Sequence, residues 1–275
     1  MRRMAGLWAA LLLVLALTPV QAGAVELPIQ AEAALLMEKE TGQVLYAQNE
    51  HEALEPASVT KVMTLLLTME AIEKGSLHYD DVVTVSAYAA SMGGSHVYLS
   101  EGEQITVDDL LKAVCVASGN DAAVALAECV AGVTELFVEQ MNTRAKELGM
   151  THSHFSWPNG LIDEDNYSSA KDMAILSSYA MKNKLFAKIV KTGYIETKDG
   201  YQIENHNRML SRDKRCIGVK TGFTTLAGRT LVTCFKNPDN GQRIVIVTLN
   251  NYDHYNDHER LCNWVFDNFQ QTTLV

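Results

Sequence analysis

The 275-residue sequence contains few cysteines and few prolines, five of each. An odd number of cysteines cannot all pair within one chain, and their spacing does not match a metal-ligand pattern. We therefore expect the cysteines to be mainly small apolar core residues, with one disulfide allowed in an oxidising compartment. They are Cys115, Cys129, Cys216, Cys234 and Cys262. The sequence has no proline-rich linker, no internal repeats and no low-complexity tract.

Basic residues are also in short supply, with 23 lysines and arginines against 33 aspartates and glutamates, for a net charge of −10. Such an acidic chain is a poor nucleic-acid binder, so we expect no nucleic-acid partner. Hydrophobic residues make up 47% of the chain, which is enough to bury a large core in one or two domains.

A long hydrophobic run occurs only at the amino terminus. Arg2 and Arg3 precede an apolar stretch over residues 5–17, and small residues follow Pro19. This pattern predicts a secretory signal peptide over residues 1–22, cleaved near residues 22–24. An uncleaved anchor is less favoured because a spanning helix needs about 18 apolar residues. We expect an exported protein with one catalytic domain over residues 23–275, either soluble or held by an uncleaved signal.

Ser58 and Lys61 stand three residues apart at the start of an apolar run that continues without glycine or proline to Gly75. The run predicts a largely buried helix with Ser58 in its first turn. On a helix, this spacing brings the lysine amine within reach of the serine hydroxyl. Burial disfavours the ammonium form, and a neutral lysine can accept the serine proton. The alternative is that Ser58 only caps the helix and Lys61 lies on the surface.

The same Ser-x-x-Lys spacing recurs at Ser168 with Lys171 and at Ser211 with Lys214, so the spacing alone is a weak signal. Ser168 or its neighbour Ser169 is typical of a helix N-cap, and Ser211 falls in a charged turn. Only Ser58 opens a long apolar helix.

The remaining pattern predicts a β-hairpin near the amino terminus, a mainly helical middle, a loop over residues 150–167, and three strands followed by an amphipathic helix. The strands are expected at residues 217–221, 229–235 and 243–249. The last helix contains Trp264 and Phe269, and packing on the sheet is favoured over a membrane-surface anchor.

Lys-Thr-Gly occurs twice, beginning at Lys191 and at Lys220. The first copy follows an apparent helix end, where lysine and glycine are ordinary. The second lies in the strand series, where a strand holds Lys220 and Thr221 rigidly and Gly222 lets a ligand approach the backbone. We select Lys220.

With Ser58-x-x-Lys61, Ser118-Gly119-Asn120 and Lys220-Thr221-Gly222 in this order, the chain resembles the penicillin-recognising serine enzymes. Further features are similar to D-alanyl-D-alanine carboxypeptidases of the low-molecular-mass penicillin-binding type. They are the Gly within Ser-Gly-Asn, the 159–161 and 167–173 segments, and residues 219–228. The resemblance spans about residues 30 to 270. It implies an α+β fold of the transpeptidase/β-lactamase type, with an antiparallel sheet flanked by helices, a helical subregion and the site in the cleft between. We expect no C-terminal β-domain and no C-terminal membrane anchor, because the chain stops soon after the last helix.

The resemblance implies a role for each matching residue. Ser58 would be the acylated nucleophile, Lys61 its general base and Ser118 a proton relay toward the leaving D-alanine. Asn120 would bind the substrate amide. Lys220 and Thr221 would hold the terminal carboxylate, and the backbone N–H groups of Ser58 and Phe223 would form the oxyanion hole. The implied substrate is a peptidoglycan stem peptide ending in D-Ala-D-Ala, with β-lactams as covalent inhibitors.

Several points stay open at this level. Either His206 or Arg208 can supply the family's additional cationic contact to the carboxylate. His152 and His154 lack a third ligand of convincing spacing, so we expect neither a metal nor another cofactor. A β-lactamase, with Glu164 as a candidate for deacylation, and a non-catalytic wall-binding relative are the alternatives.

Overall fold

The computed structural model describes residues 27–161, 163–196 and 202–269. Residues 1–26, which contain the predicted signal peptide, lie outside the described residues. Within the described ranges, no helix is long and apolar enough to cross a membrane.

Five antiparallel strands form the main sheet, in the order β2-β1-β9-β8-β7. They are β1 (Ala33–Glu38), β2 (Val44–Gln48), β7 (Cys216–Thr224), β8 (Gly228–Lys236) and β9 (Arg243–Leu249). The expected hairpin and the three later strands are therefore confirmed. Two small antiparallel ribbons lie outside this sheet: β3 (Val82–Thr84) with β4 (Gln104–Thr106), and β5 (Tyr194–Glu196) with β6 (Gln202–Glu204).

The central strands are apolar on both faces because both faces are covered. In β9, Ile244 and Ile246 pack in one cluster with the C-terminal helix, whereas Val245 and Val247 belong to the larger cluster on the helical side. A strand buried on both faces appears in the sequence as a continuous apolar run. The expected antiparallel sheet flanked by helices is confirmed.

The helical body covers one face of the sheet, and the C-terminal helix packs on the other. The body contains α1 (Lys61–Glu73), α2 (Ala87–Ala90), α3 (Val107–Lys112), α4 (Asn120–Ala131), α5 (Thr134–Glu147), α6 (Ala170–Ala180) and α7 (Lys184–Ile189). The short α8 (Met209–Arg212) precedes β7, and α9 (His254–Asn268) packs on β8 and β9. Packing of the C-terminal helix on the sheet is thus the correct alternative. Ser211, expected in a charged turn, lies in α8 instead.

Helix α9 is fastened to the sheet by a fully buried histidine. The two ring nitrogens of His258 lie 2.7 Å from the Thr233 hydroxyl in β8 and 3.0 Å from the Thr248 hydroxyl in β9. Burial lowers the pKa of His258 well below its ordinary value, because the charged imidazolium would lose its hydration. The neutral ring therefore acts as a polar link inside the core.

Candidate active site

The segment before α1 sets the position of Ser58. Ala57–Thr60 forms a 3₁₀ turn that runs directly into α1, and Ala57 has a φ of 50°. A positive φ is rare for a residue with a side chain and often occurs where surrounding contacts impose the backbone conformation. Thr230 of β8 donates a hydrogen bond to the Pro56 carbonyl at 3.1 Å, which ties this turn to the sheet. Ser58 is left partly exposed while the residues around it are buried.

Lys61 is fully buried, and its amine meets three oxygens from three separate stretches of chain. The Nζ atom lies 2.8 Å from Ser58 Oγ, 2.7 Å from Asn120 Oδ1 and 2.6 Å from the Asn159 carbonyl oxygen. Burial lowers the pKa of Lys61 well below 10.5, and the nearby Lys220 charge lowers it further, against an opposing effect of Asp121. A lysine with a lowered pKa is a competent base for the adjacent hydroxyl.

Ser118 and Lys220 form a second buried pair. Lys220 is 2% exposed, and its amine donates to Ser118 Oγ and to the Thr221 carbonyl, each at 2.9 Å. Burial lowers the pKa of Lys220 to about 8. Lys220 lies on strand β7, whereas Lys61 lies on helix α1, so the two amines have different hydrogen-bond partners. Two buried amines of lowered pKa thus lie in the same site.

The chain reverses sharply at Ser118. The helix that begins with α3 widens into a π-helical segment, Ala113–Ala117, and Ser118 then takes the left-handed conformation with a φ of 59°. The π-helical segment ends at Ala117, and Ser118 is its C-cap. This geometry presents Ser118 to Lys220, and α4 then starts at Asn120.

Strand β7 lies alongside the start of the 57–60 turn, which carries Ser58. A β-carbon added to Gly222 would lie 2.8 Å from the Ser58 backbone nitrogen, so only glycine fits at this contact. The Phe223 side chain is 62% exposed, and Arg229 lies over its ring at 5.6 Å. The structure therefore places the Lys-Thr-Gly segment beside Ser58, with the residue after it at the mouth of the site.

Two contributors were absent from the sequence-predicted site. Asn159 supplies its backbone carbonyl to Lys61, whereas the sequence marks the 159–161 segment only by the family resemblance and by its Asn-Gly turn signal. The buried carboxylate of Asp121 accepts hydrogen bonds from the backbone nitrogens of Val97 and Leu99, at 3.0 and 3.1 Å from Oδ2. It thereby fixes the loop that faces Asn120.

The competing motif residues lie in other environments. Lys214 and Lys191 are exposed, and Ser169 is the N-cap of α6 through a 3.1 Å bond from the Asp172 nitrogen. Of the cysteines, Cys115 lies nearest Ser118 in sequence, and burial raises its pKa to about 12, so it is a poor nucleophile at neutral pH. All five cysteines are free, and four of them are buried, in keeping with small core residues.

The structure shows where the residues left as alternatives in the sequence lie relative to the site. His206 borders a cavity next to the site, and the pKa of its ring is lowered by burial and then by the charges of Lys220, Lys61 and Arg208. Arg208 is exposed, and its backbone nitrogen donates to the Tyr255 hydroxyl at 3.3 Å. Glu164 is exposed on a turn. Within the described ranges, no cluster of three or more histidines, cysteines, aspartates or glutamates could hold a metal ion.

Comparisons of the sequence with protein families and with individual proteins point to the same family. Residues 20–253 match the family described as D-alanyl-D-alanine carboxypeptidase. The chain is 46% identical over 203 residues to D-alanyl-D-alanine carboxypeptidase DacF of Bacillus subtilis, covering 72% of this chain and 52% of that protein. It is 35% identical over 262 residues to DacC of Escherichia coli, covering 91% of this chain and 65% of that protein. The chain therefore spans about half to two thirds of the length of these relatives.

Solved structures agree with the sequence comparison. Penicillin binding protein 5 from Haemophilus influenzae superposes with a TM-score of 0.86 at 32% identity, over 90% of this chain and 74% of that one. Penicillin-Binding Protein D2 from Listeria monocytogenes, solved in an ampicillin-bound form, gives 0.79 at 28% identity, over 88% of this chain and 99% of that one. The transpeptidase-like fold expected from the motifs is confirmed.

Substitution of Gly160 tests the contact between residues 158–160 and the 57–60 turn. Gly160 has a φ of 73°, and an added β-carbon would overlap the Ala57 carbonyl group and lie 2.9 Å from Thr60 Cβ. We expect Gly160→Ala to lower the free energy of unfolding by about 3 kcal/mol, from left-handed strain plus overlap with backbone. Chemical denaturation measures this loss.

Gly149→Ala is the matched control, because Gly149 has a φ of 78° with nothing within 4 Å of an added β-carbon. It should lose only the strain contribution, about 1 kcal/mol. Equal losses of unfolding free energy in the two variants would show that the 158–160 loop does not pack tightly against the 57–60 turn.

Proposed function

The chain belongs to the D-alanyl-D-alanine carboxypeptidase family, and on that premise we propose that it removes the terminal D-alanine from peptidoglycan stem pentapeptides through an acyl-enzyme on Ser58. The observation that carries the proposal is the 2.8 Å contact between the Ser58 hydroxyl and the buried Lys61 amine. We further propose that residues 23–275 act as one exported catalytic domain, released by cleavage near residues 22–24 or held by an uncleaved signal.

Acylation starts with proton transfer from Ser58 to neutral Lys61. The Ser58 oxygen attacks the carbonyl carbon between the two D-alanines, and the carbonyl oxygen becomes an oxyanion. Donors aimed at that oxygen stabilise it, and we assign the backbone N–H groups of Ser58 and Phe223 to this role. The closeness of Gly222 to the Ser58 nitrogen supports the assignment, because it brings strand β7 to the same side of the reacting carbon.

Collapse of this intermediate breaks the carbon–nitrogen bond. The departing amine of D-alanine needs a proton, and Ser118, bonded to Lys220 at 2.9 Å, is placed to relay it. Water then hydrolyses the Ser58 ester, which frees the shortened peptide with a new carboxylate and restores the hydroxyl. The Lys220 ammonium and Thr221 bind the terminal carboxylate of the substrate, and Asn120 binds the amide on the acyl side.

The same site chemistry accounts for a covalent reaction with β-lactams, whose strained amide is opened by Ser58. A rapid β-lactamase needs a carboxylate positioned to activate water against the ester. Here Gly160 contacts the 57–60 turn, and Asn159 contacts Lys61 through its backbone carbonyl. Glu164, in contrast, is exposed. We therefore expect a long-lived penicilloyl ester rather than fast turnover.

Intact-mass spectrometry after penicillin treatment, followed by peptide mapping, tests the nucleophile. We expect one adduct, on Ser58, with Ser168 and Ser211 unmodified. Lys61→Ala should slow acylation by about 10²-fold to 10⁴-fold, the usual cost of losing a general base, and Lys214→Ala in the matching surface motif should not. An adduct on another serine, or undiminished acylation of Lys61→Ala, would refute the assignment. Rapid release of the adduct would indicate a β-lactamase, and absence of any adduct a non-catalytic binder.

The two Lys-Thr-Gly copies allow a second test, with D-alanine release from a D-Ala-D-Ala peptide as the readout. We expect Lys220→Ala to lower kcat/KM at least tenfold, about 1.4 kcal/mol of transition-state binding, because the buried ammonium is lost from the carboxylate site. Lys191→Ala should stay within about twofold, since Lys191 is exposed. Variants of matched melting temperature should be compared. The opposite ranking would move the carboxylate site to residues 191–193.

A further inference from the structure

Asp121 is a buried residue in the first turn of α4, directly after Asn120 of the active site. It is 1% exposed, and both of its carboxyl oxygens accept hydrogen bonds. Oδ2 lies 3.0 Å from the Val97 nitrogen and 3.1 Å from the Leu99 nitrogen, and Oδ1 lies 2.9 Å from the Ala122 nitrogen. Because every donor is a backbone N–H group, both oxygens act as acceptors, as in an ionised carboxylate. The side chain therefore carries a negative charge inside the protein.

No salt bridge neutralises this charge. Among the ion pairs of the residues that the structure describes, none includes Asp121. Backbone N–H groups and the start of a helix stabilise a carboxylate without adding a positive side chain. Burial also keeps solvent and ions from screening the charge. Asp121 can therefore act through space on a buried cation nearby.

The Lys61 amine is such a cation when it is protonated. The three oxygens around it belong to a hydroxyl, an amide side chain and a peptide carbonyl, so none carries a full charge. Burial lowers the pKa of Lys61 most, the Lys220 charge on β7 lowers it further, and the Asp121 charge raises it. The pKa of His206, which also faces the two lysines, is lowered by burial and by their charges. Asp121 is thus the carboxylate that opposes burial and the second lysine.

The strength of a general base depends on how well it holds the proton that it removes. After proton transfer from the Ser58 oxygen, the Lys61 nitrogen becomes an ammonium in a fully buried position. A charge that forms in such a place is costly unless an opposite charge faces it. A carboxylate that is already fixed nearby offsets part of this cost without having to reorganise.

The Asp121 carboxylate is fixed by the loop that it organises. Tyr98 lies between the two loop residues whose nitrogens donate to Asp121, and it has a φ of 62°. Contacts of this kind can maintain a backbone conformation that is rare for a bulky residue. The same loop contacts Asn120, whose side chain donates to the Gly93 carbonyl and whose backbone donates to the Ser95 carbonyl, each at 2.7 Å. Asp121 therefore cannot turn away without disturbing Asn120.

We propose that Asp121 is a positioning residue for acylation, whose fixed negative charge lets Lys61 hold the proton that it takes from Ser58. The proposal rests on the proposed function and adds to it the group that sets the strength of the base. Asp121 acts on the reaction through Lys61 rather than by contacting the substrate.

The variant Asp121→Asn removes the charge and keeps the size of the side chain. The readout is the second-order rate of penicillin acylation, which should rise with pH as Lys61 loses its proton. Because the Asp121 charge raises the pKa of Lys61, its removal should lower that pKa and move the rising limb to lower pH by about one unit. The maximal rate should fall about tenfold, since the weaker base holds the proton less well.

Asp172→Asn is the matched control. Asp172 is also 1% exposed and lies in the first turn of α6, where its carboxylate accepts bonds from the His152 nitrogen and the Ser153 hydroxyl at 2.7 and 2.8 Å. It is not among the charges that act on Lys61. We expect Asp172→Asn to lower the melting temperature and to leave the rising limb at its original pH.

Two further variants separate charge from structure. Asp121→Glu keeps the charge and should leave the rising limb within about 0.3 pH units of its original position, even where the displaced loop lowers the rate. Asp121→Ser removes the charge with a smaller side chain and should shift the limb as Asp121→Asn does. A purely structural role would lower the rate in all three variants without moving the limb.

The outcomes also separate this proposal from the proposed function. A rising limb that stays in place in both uncharged variants, or moves to higher pH, would overturn the role of Asp121 while Ser58 acylation stands. Failure of both uncharged variants to fold would assign Asp121 to stability alone and overturn the role as well. Absence of a Ser58 adduct in the unmodified enzyme would overturn the proposed function and this proposal with it.

Discussion

The Lys61 amine is buried completely and is surrounded by Ser58 Oγ, Asn120 Oδ1 and the Asn159 carbonyl, all within 2.8 Å. An isolated ammonium in this position would be costly, so the amine needs every one of these oxygens. Each oxygen comes from a different stretch of chain. The amine therefore holds the start of α1, the start of α4 and the 158–160 loop together, and the same burial that requires the contacts depresses the pKa on which the proposed chemistry depends.

Strain in the backbone accompanies this convergence. Ala57, Tyr98 and Ser118 all have positive φ values although none is glycine, and all three lie around the cleft. The sheet anchors Ala57 through Thr230 and Pro56, and Asp121 holds the loop that includes Tyr98 through bonds to the residues on either side of it. Buried contacts of this kind can maintain conformations that the local sequence disfavours.

Sequence patterns predicted the long elements well, because strands β7, β8 and β9 and the buried helix α1 have strong apolar periodicity. The three motifs were also identified in order, because each is a short run of consecutive or closely spaced side chains that can be read without knowing the fold. Other features escaped prediction for physical reasons. The Asn159 contribution is a backbone carbonyl, which no side chain announces, and the π-helical widening before Ser118 depends on tertiary contacts rather than on composition. The β5–β6 ribbon is too short to show a pattern.

The central claim is that burial converts Lys61 into a neutral base beside a charged Lys220. The pH dependence of the second-order rate of penicillin acylation tests it most directly. Raising the pH removes the Lys61 proton and should increase the rate along a limb well below pH 10.5, and loss of the Lys220 proton should then weaken carboxylate binding and lower the rate near pH 8. In Lys220→Ala the descending limb should disappear. A rate that climbs steadily to pH 10 and above, as for an ordinary lysine, would contradict the account.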